Sequence, residues 1–392
     1  LTSAIGVTSE PSFYPAPYMP WRYLPVAFLV LMNGGIFVAL FSRREAGSAQ
    51  TVAALLSCPL HRICWRMALT LSVLDLAPIV EGSTPAVALH NSLDLARHAE
   101  KWDYRRFWLA EHHNMAGIAS AATAVVIAHV AGGTRSIRVG AGGIMLPNHS
   151  PLVIAEQFGT LEALYPGRID LGLGRAPGTD PAALRALRRE PNSAYSFPQD
   201  VLELQALLGP PRPELRIRAV PGSDSRVPLW ILGSSLFGAE LAAALGLPFA
   251  FASHFAPESL LPAFKVYRDH FRRSESLKEP YAMAGINVFA ADGDAEGRRL
   301  FTSAQQAITN VYRNARGQLP PPIDDIDTFW SPEERAWTSN RLARSFVGSK
   351  TTVRKGLMDF VAETGANELI VAAAIYNHEA RLRSYELLSE IG

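Results

Sequence analysis

The stretch Phe107-Trp108-Leu109-Ala110-Glu111-His112-His113 is an apolar run that stops abruptly at an acid and two imidazoles. Four apolar residues in succession fit a strand buried on both faces, as parallel sheets require. The polar end is then the mouth of the sheet, where side chains meet a ligand. Neighbouring side chains on an extended strand point to opposite sides, so His112 and His113 are expected to have different jobs.

Outward from this stretch, short apolar runs alternate with longer amphipathic ones. Strands are expected at 69–74, 106–110, 137–143, 169–174, 229–232, 249–252, 281–290 and 368–373. Helices are expected at 85–101, 120–131, 152–164, 199–208, 237–245, 257–271, 351–363 and 379–389. Thr84-Pro85 supplies an N-cap followed by proline at the first helical position. The stretch holding Pro320-Pro321-Pro322, Trp330 and Trp337 reads as irregular, either a lid or a packed insertion. Eight strands alternating with helices predict the α/β class, as a (β/α)8 TIM-type barrel with insertions. A doubly wound open sheet is the structural alternative.

The 392 residues are 48% hydrophobic and 19% charged, which is a globular composition. A net charge of +1, without basic runs, gives no field for nucleic acid. The two cysteines, Cys58 and Cys64, leave everything from Met67 onward free of thiols, which excludes a cysteine nucleophile or metal site there.

The first 66 residues differ in character. A Pro/Tyr-rich patch leads into an apolar segment, 24–41, followed by Arg43 and Arg44. The expectation is a seam at Met67, with 1–66 as a non-homologous extension translated upstream of the working start and 67–392 as the barrel. Cytoplasmic placement goes with this reading. The alternative is a membrane anchor spanning 24–41.

A barrel places its active site at the C-terminal ends of the strands. Four unusual stretches fall there. These are Glu111-His112-His113, the Gly142-Gly143 step leading to His149, Gly172 to Gly178 around Arg175, and Gly233-Ser234-Ser235. Each has a plain reading: rim histidines, glycines for tight turns, serine as a helix cap. A serine pair at a helix start is also where phosphate monoesters bind, and Arg175 can add donors to the same group. Glu111, His112 and His113 are contiguous and cannot all face one ion, so no metal site is expected. Without Gly-x-Ser-x-Gly a nucleophilic serine is also not expected.

At these stretches the chain resembles the bacterial luciferase-like flavin-dependent monooxygenases. The resemblance runs from Met67 to the C-terminus and is carried by Ala-Glu-His-His-Asn (110–114), Gly-Gly-Ile-Met-Leu-Pro-Asn-His-Ser-Pro (142–151) and Pro-Gly-Arg-Ile-Asp-Leu-Gly-Leu-Gly-Arg-Ala-Pro-Gly-Thr-Asp (166–180). Leu-Gly-Ser-Ser (232–235) and Gly-Leu-Pro-Phe-Ala-Phe-Ala-Ser-His-Phe (246–255) extend it. It implies a (β/α)8 barrel that holds reduced flavin mononucleotide (FMN) at its mouth and uses molecular oxygen on a small organic substrate. The family's catalytic histidine falls on His112, with His113 and Glu111 beside it. A non-prolyl cis peptide is implied at Gly142-Gly143, and a phosphate site at Arg175, Gly233, Ser234 and Ser235. Gly174 stands at the reactive-cysteine position of luciferase and Ser234 at its acidic phosphate-loop position, so flavin binding is implied but light emission is not.

No Gly-x-Gly-x-x-Gly follows the first strand, so a separate NAD(P)H:flavin reductase is the expected partner. The resemblance also implies a homodimer paired through helices next to the second and third strands. The alternatives are a deazaflavin-dependent reductase or dehydrogenase, and a non-catalytic flavin-binding protein.

Overall fold

The computed structural model describes residues 27–32, 35–40 and 69–391, apart from 177–180, 191 and 215. The chain divides into two units, Leu1–Arg66 and Met67–Gly392. In the first, β1 (Ala27–Met32) pairs antiparallel with β2 (Gly35–Leu40). The described part of the expected span 24–41 is therefore a strand pair. Among the described residues no helix is long and apolar enough to cross a membrane.

The second unit is a closed barrel. Its strands are β3 (Leu71–Asp75), β4 (Arg106–Leu109), β5 (Arg138–Met145), β6 (Ile169–Gly174), β7 (Leu229–Gly233), β8 (Phe249–Phe251), β9 (Ala282–Ala291) and β11 (Glu368–Ala372). All pair in parallel, and β9 closes the ring by pairing with both β8 and β11. The eight expected strands are the eight of the barrel. A further strand, β10 (Ser345–Ser349), pairs with the second half of β9 outside the ring.

Helices alternate with the strands: α1 (Pro85–Lys101), α2 (Thr123–Gly132), α3 (Pro151–Leu164), α4 (Pro181–Ala186), α5 (Phe197–Leu208), α6 (Leu236–Leu245) and α7 (Leu260–Asp269). They continue with α8 (Asp294–Tyr312), α9 (Pro332–Arg341), α10 (Lys350–Thr364) and α11 (His378–Ser389). Thr84 caps α1 through the Val87 N–H, and the left-handed Gly246, at φ 63°, ends α6. Helices α8 and α9 and strand β10 were not expected. The polar segment around them is ordered by a capping box at Ser331 and Glu334, and Trp337 packs on Tyr312 and Arg341. That is a packed insertion.

Side-chain alternation sorts the strand residues into two layers. One set, including Val73, Phe107, Leu109, Val139, Leu171, Ile231 and Phe249, packs outward against the helices. The other, with Leu74, Trp108, Ala110, Trp230, Met283 and Ile370, fills the lumen. Phe107 and Leu146 thus belong to the helix-facing core, and Trp108 lies on the lumen side.

The lumen is shut at its N-terminal end by charge. Arg106 opens β4, is buried, and donates from Nη1 to Asp170 at 2.7 Å and from Nε to Glu368 at 2.7 Å. Asp170 also accepts from Arg138 and from the Trp108 indole, and Glu368 from Ser72 and Tyr281. The Arg106 guanidinium lies 4.7 Å from the Trp230 ring centroid. Buried ions are tolerated here because each is paired and hydrogen-bonded.

Candidate active site

At the opposite end, the backbone of the Phe107–His113 stretch is held by hydroxyls. Ser120 donates to the Ala110 carbonyl at 2.6 Å and Thr123 to the same atom at 3.0 Å, while the His112 N–H donates to the Ser120 carbonyl. The strand therefore enters its loop in a fixed direction, with Glu111 and His113 on one side and His112 on the other.

Glu111 is 1% exposed and works as a clamp. Its Oε1 accepts from His113 Nε2 at 2.9 Å, His149 Nε2 at 2.8 Å and Asn148 Nδ2 at 3.2 Å. Its Oε2 accepts from the Met145 N–H at 3.0 Å. Burial pushes the carboxyl's pKa upward, but the bonds from His113 and His149 prevail and hold it near about 2. The hydrogen bond to Glu111 raises His113 above the ordinary histidine range, against the opposing effect of burial.

His149, quoted in the sequence but given no role there, is thus a member of the site. Glu111, His113 and His149 place their ligand atoms within 4.8 Å of one another, a spacing that bears on metal binding. The trio skips His112 and draws its third member from beyond β5, so it is invisible in the contiguous run 111–113. With three donors on Oε1, however, the carboxylate is already saturated as a hydrogen-bond acceptor, which is the arrangement of a structural clamp.

Strand alternation turns His112 toward the lumen with Ala110 and Trp108. On the same side lies His254, whose pKa is depressed to about 4 by burial first and by the neighbouring His112 second. The Gly142–Gly143 peptide is cis. A Cβ on Gly142 would lie 2.7 Å from Leu74 Cδ1, and one on Gly143 would lie 2.7 Å from the Gly172 carbonyl oxygen. A side chain at either position would have to displace its neighbours, so this part of β5 is a wall of bare backbone packed against Leu74, Trp108 and β6.

Arg175, Ser234 and Ser235 are exposed at the mouth beyond β6 and β7. The Arg175 guanidinium stacks on Phe237, in the first turn of α6, with its carbon 4.1 Å from the ring centroid. Ser235 is the N-cap of α6 but makes no side-chain capping bond. This corner therefore brings together a guanidinium, two hydroxyls and a helix start. Pro177 and Gly178 of the same motif lie outside the described residues.

A closed parallel barrel whose polar residues gather at the C-terminal mouth of its strands is the architecture of a barrel enzyme. The chain belongs to the luciferase-like monooxygenase family, whose model matches residues 69–368. It is 54% identical over 321 residues to the luciferase-like monooxygenase of Escherichia coli (strain K12), covering 82% of this chain and 96% of that protein. It is 32% identical to the N-acetyl-S-alkylcysteine monooxygenase of Bacillus subtilis (strain 168), covering 82% and 97%. The crystal structure of apo-MsnO8 superposes with a TM-score of 0.77 at 38% identity, covering 82% of this chain and 98% of that one.

Proposed function

We propose that the barrel, residues 67–392, binds reduced FMN at its mouth and uses molecular oxygen to oxidise a small organic substrate. The observation that carries this reading is the corner at Arg175, where a stacked guanidinium, Ser234 and Ser235 gather at the start of α6. Free N–H groups and the helix dipole there suit a phosphate monoester. The ring is assigned to the bare cis Gly142–Gly143 backbone on the strength of the family resemblance. The residues present thus fit the cofactor at its phosphate end.

Bound reduced flavin supplies the two-electron chemistry toward oxygen that amino-acid side chains lack. The chain's own residues do the rest. Arg175 and the serines hold the phosphate, and the Gly142-Gly143 wall sets the depth of the ring. Trp108 and Leu74 keep water from the lumen. His112 holds or accepts a proton at the reacting face. Glu111 and His113 fix the loop that carries His112, with His149 tied to the same carboxylate. Reducing equivalents come from a separate NAD(P)H:flavin reductase. Exposed Val125 (70%), Val153 (45%) and Leu164 (61%) on α2 and α3 support pairing of two copies through those helices.

The test is to bind anaerobically reduced FMN to the full chain and follow flavin absorbance on mixing with air-saturated buffer. Reoxidation slower than that of free flavin, and substrate-dependent oxygen uptake, are expected. Absence of binding would overturn the reading. Binding without altered reoxidation would make the chain a flavin-binding protein, and preference for a deazaflavin would replace the cofactor. Arg175→Gln is expected to weaken FMN about tenfold while leaving riboflavin unchanged; equal losses would remove the phosphate contact. His112→Ala is expected to slow turnover with flavin retained, and an unchanged rate would cancel its role.

A further inference from the structure

His254 follows β8, on the far side of the ring from β4; its imidazole meets Phe255 edge-on at 4.8 Å and makes no hydrogen bond among the described residues. Its carbonyl accepts from Asn287 at 2.7 Å and the neighbouring Ser253 hydroxyl donates to the Gly285 carbonyl at 2.6 Å, so the backbone of this turn is pinned. Gly285 shares the lumen-facing side of β9 with Met283, and a Cβ there would lie 2.4 Å from His254 Nδ1. The ring of His254 therefore occupies the space that a side chain at 285 would take. It reaches into the lumen close enough to His112 for the two to interact electrostatically.

The two ring nitrogens of His254 have different surroundings. Nδ1 is shut away from solvent with no hydrogen-bond partner among the described residues. Nε2 is neither shut away in this manner nor bonded within the described residues. Burial keeps the imidazole neutral at working pH, so one nitrogen carries the proton and the other is a bare acceptor. A buried lone pair without a donor costs less than a buried N–H without an acceptor. The proton therefore belongs on Nε2, the nitrogen that remains accessible.

We propose that His254 is a ligand-contacting residue, standing over Gly285 across the lumen from His112 and donating from Nε2 to an acceptor atom of the cofactor ring, a carbonyl oxygen or bare ring nitrogen. This rests on the flavin reading of the mouth. It assigns the ring a contact independent of the phosphate corner, and a neutral donor suits an uncharged polar edge in an apolar lumen.

Affinities of the full-length chain for FMN and riboflavin test it, measured by fluorescence quenching with thermal melting as the folding control. His254→Phe keeps the bulk and removes the donor; both flavins are expected to weaken by the same factor, about 3- to 10-fold. His254→Gln, whose amide N–H reaches to the Nε2 position, is expected to stay within about twofold of the wild type, whereas His254→Asn, with a shorter reach, behaves as Phe. Should the Phe variant fail to fold, the Gln and Asn pair carries the same comparison. Affinities unchanged in Phe and Asn, or a Gln variant as weak as Asn, would overturn the proposal. So would a loss confined to FMN, since that places the contact at the phosphate. A wild type that binds neither flavin overturns the functional reading and this one with it, whereas normal wild-type binding with silent variants overturns this one alone.

Discussion

Glu111→Gln is the perturbation that the clamp makes most informative. The carboxylate collects two imidazoles, one amide and one backbone N–H. An amide of the same shape can accept on one side only, and its NH2 must face donors on the other. A carboxyl held at about 2 instead of 4.5 marks ~3 kcal/mol of preference for the charged form in the folded state. The sign follows from the direction of each shift. Glu111 is depressed, so its contribution is present above about 4.5 and drains away as the pH falls toward about 2. His113 is raised, so its contribution is present below its ordinary value of 6.5 and is lost as the pH rises through its folded value. The clamp is therefore strongest between those limits. Urea denaturation at pH 5.5 is expected to show the variant less stable by about 2–3 kcal/mol, with the gap narrowing as the pH is lowered from 4.5. The His113 titration, followed by NMR, is expected to fall back toward the ordinary value. A variant within about 0.5 kcal/mol of wild type at pH 5.5, or a gap that stays constant on acidification, would refute the clamp.

Two further outcomes follow from the packing. Arg106→Met leaves Asp170 and Glu368 buried without their shared cation and is expected to cost about 3–5 kcal/mol in denaturant unfolding, with flavin affinity unchanged because the network lies at the other end of the barrel. A loss below about 1 kcal/mol would show the network to be dispensable. Gly143→Ala places a methyl 2.7 Å from the Gly172 carbonyl oxygen, so β5 and β6 must part; a destabilisation of about 1–3 kcal/mol and a weakened ring site are expected, and flavin binding equal to wild type would contradict the bare-wall role.

The barrel was legible because parallel strands buried on both faces read as apolar runs, and eight of them alternate with helical segments. The helix Asp294–Tyr312 was not, because Leu300 is the one large apolar residue among its buried positions, the others being Gly297, Thr302, Ser303, Ala304, Gln306 and Thr309. Strand β10, Ser-Phe-Val-Gly-Ser, is short and only partly buried, so it lacks the apolar run that identified the others. In the site, the histidine stretch and the Gly142-Gly143 step were visible as departures from an apolar pattern. The partnership of Glu111 with His149 was not, since a contact across a loop leaves no spacing to read. The charged plug left a faint trace. Arg106 and Glu368 each open an apolar strand and Asp170 interrupts another, which in a buried strand calls for a partner of opposite charge.

That plug also governs traffic. With one end of the lumen sealed by ions, the barrel is a cup, and whatever enters it leaves by the same rim. A molecule seated deep in such a cup cannot exchange while another lies above it. Order of arrival and order of departure are thereby coupled through geometry alone. A ring lodged against the wall at Gly142 and Gly143 would be the first in and the last out, and the smaller partners of the reaction would come and go over it.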